Sequence, residues 1–549
     1  MKKYVFFLAS LFFLLSSCST ATSQLDKWEP YDESEELAAN ATHAVSRMQY
    51  KRIQSKHSDR NALFLPFERD LTQFTQTEYE ALKNLILEQD ILSIQGSIGN
   101  GSLTYESLTL FYLYRIYHFE LQRETYLNAI IALNPNVLKE AREKDRKRKA
   151  DIAHPIYGMP ILLKDNINAL PMATTAGAAA FLENTPQRDA FLVKQLKAKG
   201  AIILGKVNLS EWAYYFCQGC PLGYSAMGGQ TLNPYGRKQF ETGGSSSGSG
   251  VAVAANYAVA AIGSETSGSI LSPSGKNSVV GLKPTIGAVS RSGVVPISST
   301  LDTAGPMTKN VLDNAILMSA ITGEDNNDSY SYASQDIRFQ GLDTIHLKGK
   351  RLGLIRNFSS DSLMQIAVKK MEAAGAIIIP FDPPKAKMNQ FRTILDVDMK
   401  KDFPLYIQQH GSKTLDFDSV KDIVAFNQKD SLLHAPYGQG IFERIAQDTT
   451  SAIHFKSTKL KIMKEARTYF EIPMRQYELD AVLSIDNRSA SYAAAAHYPA
   501  LGVPMGYRAD GQPQNITFIA PSKQEQKLLE IGAAFERLTK ARKPPKGYH

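Results

Sequence analysis

The 549-residue chain is poor in the residues on which many metal and redox sites are built. It has three cysteines, and two of them form the single pair Cys217-Gln-Gly-Cys220. A structural zinc site needs about four ligands, and neither a second such pair nor a closely spaced histidine pair follows. We therefore expect no metal. The sequence leaves open whether Cys217 and Cys220 form a disulfide or remain two free thiols.

Concentrated positive charge is also missing. The chain has 62 Lys and Arg against 54 Asp and Glu, a net charge of +8. No arginine-rich stripe is interleaved with aromatic residues, so we expect no nucleic-acid partner. The densest charge run, Lys139–Lys149, mixes both signs and is typical of a solvated helix end. A hydrophobic fraction of 43% excludes a disordered chain.

Long hydrophobic runs are absent except at the start. Lys2 and Lys3 precede an apolar run at residues 4–15, which is too short for a membrane span of about 20 residues. This arrangement predicts an export signal. The sequence Leu15-Ser-Ser-Cys18 resembles a bacterial lipobox, so we expect Cys18 to be lipidated and to anchor an exported protein in a membrane, facing the periplasm or the cell surface. The alternative is a plain secretory signal with an incidental cysteine.

The pattern beyond residue 70 predicts a layered α/β fold. One helix is expected from Thr72, with a break at Gly96–Gly101, and another from Thr104. Short buried strands then alternate with helices, and helix, glycine and strand occur twice in that order: Ala190–Lys199, Gly200 and Ala201–Leu204, then Leu363–Ala374, Gly375 and Ala376–Ile379. A further strand is expected at Pro160–Leu163.

The segment Thr242–Pro306 is rich in glycine and serine and poor in charge. No lysine follows its glycines as a phosphate-binding loop requires, and a flexible linker would not continue into the apolar run Val251–Ile262. The remaining interpretation is a serine nucleophile beside free backbone N–H groups. None of the ten histidines has a suggestive local setting. The base could then be a lysine made neutral by burial, and Lys164 at the end of an apolar strand fits.

Several motifs in one order resemble the amidase signature family. They are Lys164-Asp-Asn166, Asn208-Leu-Ser-Glu-Trp212, Gly229-Gln-Thr-Leu-Asn-Pro234, Gly243-Gly-Ser-Ser-Ser-Gly248, Gly268-Ser-Ile270, Gly281-Leu-Lys-Pro-Thr285 and Asp302-Thr-Ala-Gly-Pro306. Within that family, Met172-Ala-Thr-Thr-Ala-Gly177 and the Trp212 segment resemble the peptide amidase branch. The resemblance implies a large twisted mixed β-sheet covered on both faces by α-helices, in a single catalytic domain.

The resemblance also implies a catalytic triad. Ser269 matches the nucleophile, Lys164 matches the base, and Ser245 matches the bridging serine that the family holds through a cis peptide bond. Backbone N–H groups of Thr266, Ser267, Gly268 and Ser269 are expected to form the oxyanion hole. No cofactor or metal is implied. The chain departs from the family pattern at Glu265, Ser267 and Leu271, where the family usually has Asp, Gly and often Arg.

Together these observations predict an exported amide hydrolase that releases ammonia from peptide or amino-acid amides. Candidate substrate-binding residues are Asn166, Thr174, Thr175 and Gln230. The expected organisation is a signal peptide at 1–17, a lipidated N-terminus with a tether or helical arm at 18–70, and the catalytic domain at 71–549. No obligate protein partner is expected. The alternatives are a broad-specificity amidase, a glutamyl-tRNA amidotransferase A-like subunit, and an inactive amide-binding lipoprotein.

Overall fold

The computed structural model describes residues 25–147, 153–334 and 336–548. The predicted signal peptide and Cys18 lie outside these ranges. The strands are β1 (Ile130–Leu133), β2 (Pro160–Lys164), β3 (Ile202–Val207), β4 (Tyr224–Ser225), β5 (Gly229–Gln230), β6 (Ala260–Glu265), β7 (Val280–Lys283), β8 (Thr303–Thr308), β9 (Arg351–Ile355), β10 (Ile377–Phe381), β11 (Ala481–Ile485), β12 (Ala500–Tyr507) and β13 (Pro513–Ile519).

The helices begin in the N-terminal segment and recur between the strands. They are α1 (Ser34–Asn40), α2 (Glu68–Gln73), α3 (Gln76–Ile86), α4 (Ile91–Gly99), α5 (Tyr105–Glu120), α6 (Val137–Arg146), α7 (Phe191–Ala198), α8 (Ser247–Ala254), α9 (Leu271–Lys276), α10 (Val311–Ile321), α11 (Ser362–Ala373), α12 (Phe391–His410), α13 (Val420–Gln428), α14 (Ser431–His434), α15 (Gly440–Gln447), α16 (Ala452–Gln476), α17 (Ala490–Ala496) and α18 (Glu525–Thr539).

One mixed sheet forms the centre of the molecule. In the described part of the chain it has 11 strands in the order β1-β3-β2-β6-β8-β7-β12-β13-β11-β9-β10. β2 is parallel to β3 and to β6, and β9 is parallel to β10 and β11, while the pairs between these groups are antiparallel. This confirms the predicted α/β fold with a large mixed sheet in a single domain.

Three adjacent strands at the site of Lys164 are completely buried. Every residue of β2, β3 and β6 is buried, so both faces of these strands are covered, as expected of parallel strands in a layered fold. The repeated helix-glycine-strand units are confirmed. In each unit the helix ends at a glycine with positive φ, Gly200 at +89° and Gly375 at +86°, the left-handed conformation that glycine adopts without steric cost.

The predicted break at Gly96–Gly101 is partly wrong, because the helical segment is already interrupted at residues 87–90, between α3 and α4. α4 runs through Gly96 and ends at Gly99. Asp90 caps its first turn by accepting a hydrogen bond from Ser93 N, and Ile91, Ile94 and Ile98 bury one face. The cap and the buried apolar face outweigh the cost of a mid-helix glycine, about 1 kcal/mol relative to alanine.

Residues 25–70 lie against the rest of the protein. Trp28 is 7% exposed and Ile53 is fully buried, and Ile53 O accepts a hydrogen bond from Gln230 N. Arg47 forms an ion pair with Glu241 at 2.9 Å. The described part of the predicted tether or helical arm is therefore packed structure that contributes to the same core as the sheet.

A second apolar cluster lies beside the sheet and is built largely from α12, α13, α15 and α16. Trp212 is at its centre, with its ring centroid 4.8 Å from Phe181, 5.4 Å from Phe403 and 5.3 Å from Phe442. Cys217 and Cys220 belong to this cluster and are joined by a disulfide. No helix within the described ranges is both long enough and apolar enough to cross a membrane.

Candidate active site

Lys164 is the last residue of β2, and its side chain is completely buried. Its Nζ lies 2.7 Å from Ser245 Oγ, 2.9 Å from Ser264 Oγ and 3.2 Å from Ser264 O. Since β2 is buried along its whole length, the apolar strand carries the amine out of contact with bulk water. The structure thus brings together Lys164 and Ser245, which are 81 residues apart in sequence.

Ser245 lies in the loop that precedes α8. The Gly244–Ser245 peptide bond is cis, as the family resemblance implied. Ser245 O accepts a hydrogen bond from Ser210 N at 3.0 Å. Gly243 has φ +65°, and a Cβ at this position would lie 2.7 Å from the backbone of Pro273. A glycine is therefore required where the loop passes α9.

Ser269 lies in the short loop between β6 and α9 and is 9% exposed. Its backbone O accepts a hydrogen bond from Ser246 N at 3.1 Å, which ties the two serine loops together. The Ser269 hydroxyl forms no hydrogen bond with any described residue, Ser245 included. Catalytic hydrogen bonds are often long before substrate binds, so the role of Ser269 as nucleophile stays a prediction.

The loop before Ser269 presents unoccupied donors. Gly268 has φ +94°, and the backbone N–H groups of Ser267, Gly268 and Ser269 donate no hydrogen bond within the described residues. Unpaired N–H groups beside a serine are what an oxyanion hole requires. The departure at Ser267 preserves its donor, and the assignment of the hole stays a prediction.

Burial makes Lys164 a good proton acceptor. It lowers the pKa of Lys164 from 10.5 to about 7, and the nearby carboxyl groups of Asp302 and Glu265 act in the opposite direction. A lysine with a pKa near 7 is about half neutral at pH 7. The amine can therefore take a proton from a hydroxyl group at neutral pH, as general base catalysis requires.

Ser264, which the sequence analysis did not single out, orients the amine. A neutral amine has two N–H donors and one lone pair. Ser264 O can only accept, and Ser264 Oγ already receives a hydrogen bond from Asn166 Nδ2 at 3.0 Å. If Ser264 accepts the two Lys164 N–H groups, the lone pair of Lys164 is directed at the hydroxyl of Ser245.

Two carboxyl groups hold the loops around this pair. Asp302 accepts hydrogen bonds from the Thr266 hydroxyl and from the backbone N–H groups of Ile297 and Ser298. Burial raises the pKa of Asp302 to about 6. Glu265 accepts from the N–H groups of Ile270 and Leu271 at 2.7 and 3.0 Å. The longer Glu265, where the family has Asp, thus caps the turn directly after Ser269.

The predicted substrate contacts Thr174 and Thr175 already have partners inside the protein. Asp165 and Lys206 form a completely buried ion pair at 2.7 Å. Thr174 Oγ1 accepts from Lys206 Nζ at 3.2 Å, and Thr175 donates its hydroxyl proton to Asp165 Oδ2. These two hydroxyl groups stabilise the residue that follows Lys164, and the structure does not bring them to the Lys164–Ser245 pair.

The other two candidates differ from each other. Asn166 Oδ1 is buried and has no hydrogen-bond partner among the described residues, and Asn166 Nδ2 contacts the Ser264 hydroxyl beside Lys164. Gln230 Oε1 is likewise buried without a hydrogen-bond partner among the described residues, but Gln230 Nε2 donates to Leu222 O and Thr231 O, so this side chain lies at the β4–β5 hairpin. Of the four predicted substrate contacts, Asn166 is therefore the one that the structure places close to Lys164.

The groups present at the site are those of a serine nucleophile and a base. In the part of the chain that the structure describes, no three His, Cys, Asp or Glu side chains are grouped so that they could hold a metal ion. The site consists of a buried amine, two serine hydroxyls and free backbone N–H groups. This set suits nucleophilic attack on a carbonyl group.

Known proteins resemble this chain in both sequence and fold. The Amidase family model matches residues 108–484. A probable amidase of Arabidopsis thaliana is 37% identical over 84% of this chain and 92% of its own length. The peptide amidase of Stenotrophomonas maltophilia is 38% identical, with a TM-score of 0.78 over 84% of this chain and 98% of that one.

A solved structure of an amidase family protein from Bacillus anthracis covers 90% of this chain and 100% of its own, with 34% identity and a TM-score of 0.85. The match extends over most of the sheet, well beyond the short motifs. The chain therefore belongs to the amidase signature family and is a hydrolase that acts on carbon–nitrogen bonds.

Proposed function

We propose that the protein hydrolyses the terminal carboxamide of peptides or amino acids through Ser269, Ser245 and Lys164, releasing ammonia. The observation that carries this proposal is the 2.7 Å contact between the buried Lys164 amine and the Ser245 hydroxyl. The similarity to a peptide amidase over 84% of the chain supports the substrate class.

The proposed chemistry has two steps. Ser269 Oγ attacks the amide carbonyl carbon, and its proton passes through Ser245 to the neutral amine of Lys164. The carbonyl oxygen becomes an oxyanion, which is stabilised by the N–H groups of residues 266–269. The same proton returns through Ser245 to the nitrogen that leaves as ammonia. Water then attacks the ester carbonyl carbon and gives a proton through Ser245 to Lys164. The bond between that carbon and Ser269 Oγ breaks, the proton returns to Ser269 Oγ, and the acid is released.

The crowding around the relay supports a small leaving group. The nitrogen must lie near Ser245 and Lys164 to receive its proton. Ser245, Ser246 and Lys164 are all fully buried, and a Cβ on Gly263 would already lie 2.8 Å from Ser246 Oγ. Ammonia fits beside such residues, whereas a continuing peptide chain would require room there.

The unpartnered Asn166 Oδ1 supports a polar substrate. An unsatisfied buried acceptor costs about 1–3 kcal/mol, and a substrate N–H group would satisfy it. Dipeptide amides offer such donors, and simple aliphatic acyl groups lack them. We therefore expect Asn166 to distinguish peptide amides from fatty amides.

A comparison of kcat/KM tests the substrate class. The substrates are a dipeptide amide, a simple aliphatic amide and a long-chain fatty amide, with ammonia as the readout and Ser269→Ala as the inactive control. We expect the dipeptide amide to be preferred. In Asn166→Ala, the preference for the dipeptide amide should fall while the rate on the aliphatic amide changes less. A clear preference for the fatty amide contradicts the proposal.

We also propose that the protein is exported and anchored through a lipid on Cys18. The support is the charged start, the apolar run and the Leu15-Ser-Ser-Cys18 motif. In Cys18→Ala, membrane association or processing should be lost. Cys217→Ala, a change at another cysteine, should leave membrane association intact. An unmodified Cys18 in the mature native protein, detected by mass spectrometry, contradicts the anchor.

The alternative of an amidotransferase subunit makes a different prediction. Such a subunit acts within an assembly, whereas the proposed hydrolase needs no other chain. The purified protein alone should release ammonia from a dipeptide amide at least as efficiently as from glutamine. A strong preference for glutamine that depends on added subunits would favour the alternative.

A further inference from the structure

A cavity lies away from the Lys164–Ser245 pair. It has a volume of about 320 Å³, within the range of about 300–1,000 Å³ typical of small-molecule sites. Its walls are the N-terminal segment from Gln54 to Phe64, the edge strand β1, and the end of α5. None of Lys164, Ser245 and Ser269 lines it.

Arg60 is the cationic group of this cavity. Its guanidinium lies between two aromatic rings, 4.0 Å from the centroid of Trp28 and 4.6 Å from that of Tyr126. It donates to Glu120 O at 2.9 Å and to Asn128 Oδ1. A guanidinium has five N–H donors, so three of them make no hydrogen bond to a described residue. Arg60 is thus held rigidly and retains donors for a ligand.

Glu120 is the acidic group of the cavity, and it is 3% exposed. Burial raises the pKa of its carboxyl group, while Arg60 and the neighbouring backbone N–H groups favour the carboxylate. Its two carboxylate oxygens accept from the backbone N–H groups of Asn128 and Ala129 at 3.1 and 3.2 Å. Its Oε2 lies 4.0 Å from Arg60 Nη1, which is a loose ion pair. A carboxylate has about four acceptor sites, so Glu120 offers further acceptor capacity beside the Arg60 donors.

The remaining lining has little net charge. Lys56 and Asp59 line the cavity, are both exposed, and have opposite signs. The apolar wall is formed by Trp28, Phe64 and Ile130, all at least nine-tenths buried. A simple anion would meet Glu120, and a simple cation would meet Arg60. The complementary ligand carries both charges a few ångströms apart, with an apolar group attached.

We propose that this cavity binds a free α-amino acid as the zwitterion, with its carboxylate on Arg60, its ammonium toward Glu120 and an apolar side chain against Trp28 and Ile130. Because an amino-acid amide lacks the carboxylate, the cavity distinguishes the acid from its amide. If the proposed function holds, the ligand belongs to the class of the reaction product, and the cavity is then a site for product feedback.

Binding is tested on full-length Ser269→Ala protein, so that no ligand is turned over. Three probes are compared by calorimetry: leucine as the zwitterion, leucinamide as the cation and N-acetylleucine as the anion. We expect leucine to bind about tenfold or more tightly than either of the other two. Equal binding of the three probes, or no heat with leucine at any soluble concentration, overturns the proposal.

A second variant locates the site without disturbing the buried charges. Ser58 lines the cavity and is exposed, so Ser58→Trp should fill the cavity while the protein remains folded. Ser457, exposed on α16, provides the matched control Ser457→Trp. Leucine binding should fall about tenfold or more in Ser58→Trp and persist in Ser457→Trp. Unchanged binding in Ser58→Trp places leucine elsewhere and refutes the site.

The test of leucine binding can succeed or fail independently of the test of amide hydrolysis. Leucine binding is measured on a chain that does not turn over substrate, and amide hydrolysis is measured on the wild-type protein without leucine. Absence of amide hydrolysis with intact leucine binding refutes the proposed function alone. Intact hydrolysis without leucine binding refutes the zwitterion site alone.

Discussion

The pH dependence of hydrolysis follows from the burial of Lys164. Its pKa of about 7, against 10.5 for an ordinary lysine, means that about half of the molecules carry a neutral base at pH 7. At pH 5 the neutral fraction is about 1%. We therefore expect kcat/KM to rise about tenfold per pH unit on the acid side and to level off above pH 7, so that the rate at pH 5 is about 100-fold below the plateau.

Removing the negative charge of Asp302 should shift the acid limb, the part of the pH profile in which kcat/KM rises with pH, to lower pH. Asp302 is the larger of the two carboxyl influences that raise the pKa of Lys164. In Asp302→Asn the ammonium form of Lys164 loses that stabilisation, so its pKa falls and the limb shifts to lower pH. Asp402→Asn is the matched control, since Asp402 is also buried but does not act on the pKa of Lys164.

The assay is ammonia release from a dipeptide amide at subsaturating concentration, measured across pH 5 to 9. Asp302 also holds Thr266, so the plateau rate is expected to fall in Asp302→Asn. The pH at which the acid limb lies does not depend on the height of the plateau. A flat profile in the wild-type protein, or equal limbs in Asp302→Asn and Asp402→Asn, refutes the assignment of Lys164 as the base.

Three further predictions follow from the same contacts. Lys206→Met leaves the buried Asp165 without its cation, which should lower the free energy of unfolding by about 3–5 kcal/mol. Urea denaturation measures this change, and the control is Lys194→Met, at an exposed lysine of α7. Gly268→Ala places a Cβ on a residue with φ +94°, 2.8 Å from Asn487 Nδ2. The oxyanion donors should therefore move and kcat should fall about 10²–10³-fold. An unchanged kcat would exclude these N–H groups as the oxyanion hole. Lys164→Met should raise the melting temperature. The pKa of Lys164 is lower in the folded state, so stability is lost as pH falls from about 10.5 to 7; the gain should therefore be larger at pH 7 than at pH 10, and the opposite order contradicts the burial argument.

Local patterns predicted much of the fold because they depend on short stretches of chain. The helix before Gly200 and the strand after it follow from apolar spacing and from a residue that adopts positive φ. Lys164 was predicted to be buried because it ends an apolar strand. The order of the 11 strands depends on contacts between distant segments, and the spacing of residues in one strand does not encode its neighbour in the sheet.

The surroundings of the site were harder to predict for the same reason. Ser264 contacts Lys164 from a strand 100 residues away, and nothing in the local sequence distinguishes it from other serines of the segment. Thr174 and Thr175 were expected to contact substrate, but they bond to the Asp165–Lys206 pair, whose Lys206 lies on another strand. Packing of the N-terminal segment also depends on distant partners, such as Gln230 N for Ile53 O.

The central claim is that Ser269 is the nucleophile activated through Ser245 and Lys164. It is tested most directly by treating the protein with a fluorophosphonate, which reacts with activated serines, and locating the adduct by peptide mass spectrometry. We predict one adduct, on Ser269, that is absent in Ser269→Ala and forms far more slowly in Lys164→Met. An adduct on another serine, or labelling that persists in Ser269→Ala at the wild-type rate, would contradict the account.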